Sequence, residues 1–189
     1  MKKLVIALGV SALLGACAGT GMSNASSSAA VPMVGGAPMY PTKDIVDNAV
    51  NSKDHTTLVA AVKAADLVAT LKSPGPFTVF APTNASFAAL PAGTVDTLLK
   101  PENKATLTKV LTYHVVPGRM DSAALTSAIN AGGGKAMLKT ASGGTLTATM
   151  SGGTVWVTDA KGGTAAVTIA NVYQSNGVIH VVNKVLLPG

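Results

Sequence analysis

Cysteine, tryptophan, glutamate and arginine each occur once in these 189 residues, and that scarcity closes several routes at the outset. A lone Cys17 allows no internal disulfide. With Arg119 as the one arginine and the lysines scattered singly, the chain lacks the basic stripe interleaved with aromatics that nucleic-acid binding uses. Glu102 is the sole glutamate, and the aspartates are spread without an acid/base pair. There is no G-x-S-x-G elbow, and Gly132-Gly-Gly-Lys135 lacks the upstream glycine of a phosphate loop. No catalytic residue is therefore assigned, and the chain reads as non-enzymatic. No second histidine, cysteine or carboxylate falls at ligand spacing from another, so neither a metal site nor a cofactor is expected. Aromatics make up 4% of the residues, which leaves a core of Val, Ala and Leu.

What is present begins with an address. Lys2 and Lys3 precede the apolar run Leu4–Leu14, far short of the ~20 residues a membrane-spanning helix needs and within the range of a secretory signal core. Leu14-Gly-Ala-Cys17 follows and resembles the lipobox of bacterial lipoproteins, in which the cysteine is acylated and becomes the new N-terminus. Residues 1–16 then read as the leader and Cys17 as the lipidation site. Each buried CH2 of an acyl chain contributes about 0.8 kcal/mol of membrane anchoring. The alternative is that Ala16-Cys-Ala18 serves as an ordinary A-x-A cleavage site and the mature protein is free of lipid. Ala18 resembles the residue after the cysteine in outer-membrane lipoproteins; release into the periplasm or outside is the other expectation. Residues 17–41, rich in Ser, Ala, Gly and Pro and without charge, read as a flexible tether closed by Pro38 and Pro41. Once Lys2 and Lys3 leave with the leader, the formal charge of +6 falls to about +4.

Roughly 148 residues remain, the size of a single domain with one good core. Helical spacing dominates first. Ile45, Val46, Ala49 and Val50 share one face, and Leu58, Val59, Val62, Ala65 and Val68 another. Phe77 to Phe80 alternates as a strand that Pro82 halts, after which Thr83 or Asn84 is placed to cap a short helix carrying Phe87. Pro101 suits the first turn of a helix with the face Leu107, Val110, Leu111 and His114; Asp121 or Ser122 can cap one more, ending at the glycines 132–134. From Thr145 the period becomes two, with Gly-Gly turns at intervals of about ten residues that predict a meander of hairpins. The segment Val178–Leu187 is apolar on both faces, as a central strand is. Helices first and strands later define the α+β class.

Three stretches carry a resemblance. Phe77-Thr-Val-Phe-Ala-Pro-Thr-Asn-Ala-Ser-Phe87, Tyr113-His114-Val-Val-Pro-Gly118 and Asn176-Gly-Val-Ile-His180-Val-Val-Asn183-Lys-Val-Leu-Leu-Pro188 together resemble the fasciclin domain, over residues 42–189. The resemblance implies one compact domain with β-sandwich-like sheets and several helices packed around them. It also implies a monomeric, non-enzymatic adhesion module whose partner is a cell-surface protein or polysaccharide, and it places Tyr113 and His114 on an adhesion surface. Asn183 departs from the family pattern, which usually has aspartate there; an amide keeps the hydrogen bonds of a carboxylate without its charge. The residues alone read differently at His114, where the helical face points a neutral imidazole into the core. His180 also reads as a core histidine, and His55 beside Asp54 as an exposed helix-start pair. Two further readings stay open: a carrier of an apolar ligand such as a carotenoid, and an envelope structural protein without a specific partner.

Overall fold

A computed structural model describes residues 31–189, so the leader, Cys17 and the tether up to residue 30 lie outside the described residues. Ordered structure starts earlier than the prolines suggest. β1 (Met33–Val34) and β2 (Ala37–Pro38) form a hairpin that buries Val34, Ala37 and Met39 at 3%, 8% and 2% exposure. The expected tether through Pro41 is corrected accordingly. Its few apolar residues cannot make a core of their own, but they complete one built by the rest of the chain. Gly35, at φ +58°, makes this close fit possible: a Cβ there would come within 3 Å of atoms of Ser52, Lys53 and Asp54.

The helical half follows the predicted faces with three differences, the first being Val50, expected on the buried face of the first helix and 50% exposed instead. α1 (Ile45–Ala49) is capped by Asp44, whose carboxylate accepts from the Asp47 N–H at 2.8 Å. The face running through Val68 is split into α2 (Thr56–Ala64) and α3 (Val68–Lys72), because Asp66 adopts φ 60° between them. β3 (Phe77–Pro82) leads into α4 (Asn84–Ala88), where Thr83 and Ser86 form a reciprocal capping box. α5 (Thr94–Leu99) buries no residue fully and left no apolar period to read. A 3-10 turn with Pro101 in its first position opens α6 (Lys104–Tyr113). The short β4 (Val115–Pro117) and α7 (Ser122–Ala131), capped by Asp121, complete this half.

β5 (Lys135–Lys139), which no predicted run covered, precedes the predicted meander of β6 (Thr145–Ser151), β7 (Thr154–Thr158) and β8 (Thr164–Gln174), and β9 (Gly177–Val182) follows it. Seven strands form one sheet in the order β4-β3-β9-β8-β7-β6-β5. β9 lies between β3 and β8 and is buried along its whole length, as its unbroken apolar run predicts; its pairing with β3 is parallel. The strand stops at Val182 rather than Leu187, yet Val185 and Leu186 remain buried at 1% and 0%.

One sheet does the work of a sandwich. β8 pairs with β7 through Thr164–Ala166 and with β9 from Val167 on, with register shifts near Ile169 that bend the strand. The two sheet edges thereby approach each other, and the Ala141 N–H donates to the Val115 carbonyl at 2.7 Å. Alternate residues of β3 serve two cores. Val79 and Ala81 face the helices α1–α6, while Phe80 faces an interior closed by α7 and shared with Leu125, Leu146, Val157 and Val182.

Candidate functional site

The Tyr-His motif sits where α6 ends against the meander. Tyr113 is 1% exposed; its hydroxyl donates to the Thr145 carbonyl at 2.8 Å and accepts from the Ala160 N–H at 2.9 Å. Its ring lies so close to Gly144 that a Cβ there would meet it within 3 Å. Burial pushes the phenol above its ordinary pKa.

His114, 3% exposed, uses both ring nitrogens. Nδ1–H donates to the Val110 carbonyl at 2.8 Å, and Nε2 accepts from the Leu186 N–H at 2.9 Å. A carbonyl can only accept and an N–H can only donate, so these partners fix a neutral Nδ1–H tautomer. Burial lowers its pKa to about 4, outweighing the Val110 bond and the nearby Asp159 charge. Asp159 completes the arrangement. One carboxylate oxygen accepts from Lys161 and Gly163 N–H at 2.9 and 2.7 Å, the other from Leu187 N–H at 3.0 Å. Together His114 and Asp159 clamp the segment after β9 by consecutive amides.

This geometry corrects the expectation that Tyr113 and His114 lie on an adhesion surface. Both side chains are interior, and their polar atoms are committed to the backbone. The reading of the residues alone, an inward neutral imidazole, is the one the structure matches.

The other histidines are interior as well. His180 is 0% exposed, stacks on Phe80 with ring centroids 5.7 Å apart, and donates from Nε2 to the Met120 carbonyl at 2.8 Å. Burial lowers its pKa, against a smaller opposing effect of that bond. His55, expected at the surface, is 3% exposed because the β1–β2 hairpin covers it; Nδ1 meets Ser52 Oγ at 2.9 Å. Burial depresses its pKa despite Asp54 beside it.

Asn84 does more than flank a cap. Its Oδ1 accepts from the Thr57 N–H at 3.0 Å, and its Nδ2 donates to the Lys53 carbonyl at 2.8 Å, joining α4 to the start of α2. Asn183 is exposed, and its Oδ1 accepts from the Ala166 N–H at 2.8 Å, so the amide supplies there the acceptor a carboxylate would. Phe87 and Pro82 are buried and Phe77 is half-buried. Sequence reading missed Asp159; its signal was the Asp-Ala-Lys-Gly-Gly turn, in which an aspartate bonds amides two and four residues on.

An apolar cavity of about 80 Å³ lies between the helices and the sheet, lined by Leu58, Val62, Leu71, Phe77 and Leu111 among others. Among the described residues, no three His, Cys, Asp or Glu side chains converge as metal ligands.

Comparison with known proteins agrees with this geometry. The model of the Fasciclin domain family matches residues 53–188. Protein sll1483 of Synechocystis sp. is 50% identical over 145 residues, which cover 76% of this chain and 73% of that protein. Immunogenic protein MPB70 of Mycobacterium bovis is 36% identical over 145 residues, covering 74% of this chain and 66% of the relative. A solved domain pair from the insect cell adhesion molecule Fasciclin I superposes with a TM-score of 0.69 at 15% identity, over 77% of this chain and 51% of that one.

Proposed function

The chain belongs to the fasciclin-domain family, and from that premise we propose that it is a non-catalytic adhesion or interaction module held at the cell envelope by an acylated Cys17. The observation that carries this reading is the use of the chain's chemistry-bearing side chains. His55, His114, His180, Tyr113 and Asp159 are all buried, and the bonds they make run to other groups of the same fold. What remains to meet another molecule is the exterior. The partner fitting such a surface is a cell-surface protein or polysaccharide, and the domain acts as a monomer in the outer membrane, the periplasm or outside the cell.

Attachment of cells carrying the full chain is to be compared with attachment of cells carrying residues 1–32 alone, so that leader and tether are held constant. Equal attachment by the short version refutes the reading. The apolar cavity favours a second reading, a carrier of an apolar ligand such as a carotenoid. At about 80 Å³ it is smaller than the ~150 Å³ cavity that takes up a benzene, so a carotenoid would need α1, α2 and α3 to part from the sheet. A colourless protein after native purification rules that carrier out.

A further inference from the structure

The outer face of the meander is a grid of side chains set by the strand register. Met137, Thr147, Thr158 and Thr164 stand side by side across β5, β6, β7 and β8; Lys135, Thr149, Trp156 and Ala166 form the next row, and Lys139 stands opposite Thr145. Their neighbours Ala136, Leu138, Leu146, Ala148, Val155 and Val157 point the other way into the core beneath α7. Three features of this face bear on what it can meet. The hydroxyls of Thr147, Thr149, Thr158 and Thr164 make no hydrogen bond among the described residues, which leaves them able to bond a ligand. The chain's one tryptophan, Trp156, is part-exposed among them.

The third feature is charge. After Asp121 the only acidic residue is Asp159, which is 8% exposed and turned to backbone amides. Lys135 and Lys139 are exposed and unpaired among the described residues, while the ion pairs formed by Lys72, Lys100 and Lys104 all lie in the helical half. The face is therefore cationic without internal compensation.

We propose that this face binds an anionic polysaccharide whose sugars carry carboxylates. This deepens the interaction-module reading and rests on it. A pyranose ring has a C–H face that packs on an indole and a hydroxyl rim that needs groups able both to donate and to accept, which threonine hydroxyls are. The lysines match the carboxylates. Size argues against a folded protein as occupant. At ~3.4 Å per residue and ~4.8 Å per strand the grid spans roughly 14 by 14 Å, well below the ~800 Å² per partner of a stable protein interface. It is enough for a few sugar rings of a long polymer. Lysines on the edge strand β5 also repel a second copy of that edge.

The test uses the full chain on immobilised polygalacturonate, on neutral dextran and on polyglutamate. Retention on polygalacturonate alone, weakening with salt, is the expected result. K135E/K139E, at exposed positions, lowers that affinity about tenfold with an unchanged melting temperature, and Trp156→Ala lowers it about fivefold. No retention on polygalacturonate, equal binding by K135E/K139E, or equal binding to polyglutamate each overturns the proposal; the last assigns the face to an acidic protein segment. The attachment assay separates the two levels. A K135E/K139E chain that keeps both its polygalacturonate binding and its cell attachment refutes this face and leaves the module reading standing. A chain that binds polygalacturonate but never attaches refutes the module reading and leaves the face.

Discussion

Acidification is expected to weaken this fold well above the pH at which carboxylates titrate, and His114 is the main reason. Its native pKa of about 4 lies below the ordinary 6.5, because charging a buried ring that already holds Leu186 through its lone pair is costly. An unfolded chain binds the proton near pH 6.5, whereas the native one refuses it until about pH 4. Between those values the unfolded state carries more protons, so stability rises with pH; the contribution is full above 6.5 and is lost as pH falls toward 4. At ~1.36 kcal/mol per unit the loss comes to about 3 kcal/mol, against a typical total of ~5–15. His180 and His55 are shifted in the same direction and add to the slope. Asp47 and Asp121, lowered from 3.8, titrate below this window and do not account for it. Urea unfolding at pH 7 and pH 4.5 measures the effect; for a slope near 2 kcal/mol per molar, His114 alone moves the midpoint by about 1–1.5 M. His114→Gln keeps an acceptor for the Leu186 amide but cannot be protonated, so its pH slope should be markedly flatter. A wild-type midpoint that stays constant from pH 7 to 4.5, or a His114→Gln chain with the wild-type slope, refutes the argument.

Removing the Asp159 side chain leaves the amides of Lys161, Gly163 and Leu187 without their acceptor. Asp159→Ala should destabilise by about 2–4 kcal/mol and raise hydrogen exchange at Leu187, while Asp159→Asn should recover part of the loss. Thr83→Ala breaks the capping box of α4 and should cost about 1 kcal/mol in chemical denaturation. Leu125→Ala empties a fully buried site under the meander and should cost roughly 3 kcal/mol, measured the same way. Intact-mass measurement of the mature protein should give an N-terminal Cys17 with acyl mass; a chain beginning at Ala18 or later without it removes the lipid anchor from the proposed function.

Legibility in the sequence tracked how local the determining physics was. Thr83 and Asp121 were readable as cap candidates because a cap bonds an amide two or three residues away. β9 was readable as central because burial on both faces removes alternation. The β1–β2 hairpin was not, since Val34 and Met39 bury themselves against residues far along the chain that no local pattern announces. His55 was misjudged for the same reason, its cover being that hairpin. At His114, helical phase put the ring inside correctly, while the family resemblance alone would have put it on a surface. The Leu186 amide that fixes its tautomer lies 72 residues away, beyond any spacing argument. The threonine grid could be seen as alternation along each strand, but the rows across strands exist only once the register is known.

The parallel pairing of β3 with β9 also sets an order of events. Residues 77–82 find their partner only in residues 177–182, and the clamp on Leu186 comes later still. If the chain is exported as proposed, it cannot lock prematurely while threading through a translocation pore: its middle strand is almost the last part to be delivered. Contacts so distant along the chain slow folding. Such slowness favours passage in an open form, with assembly following on the far side.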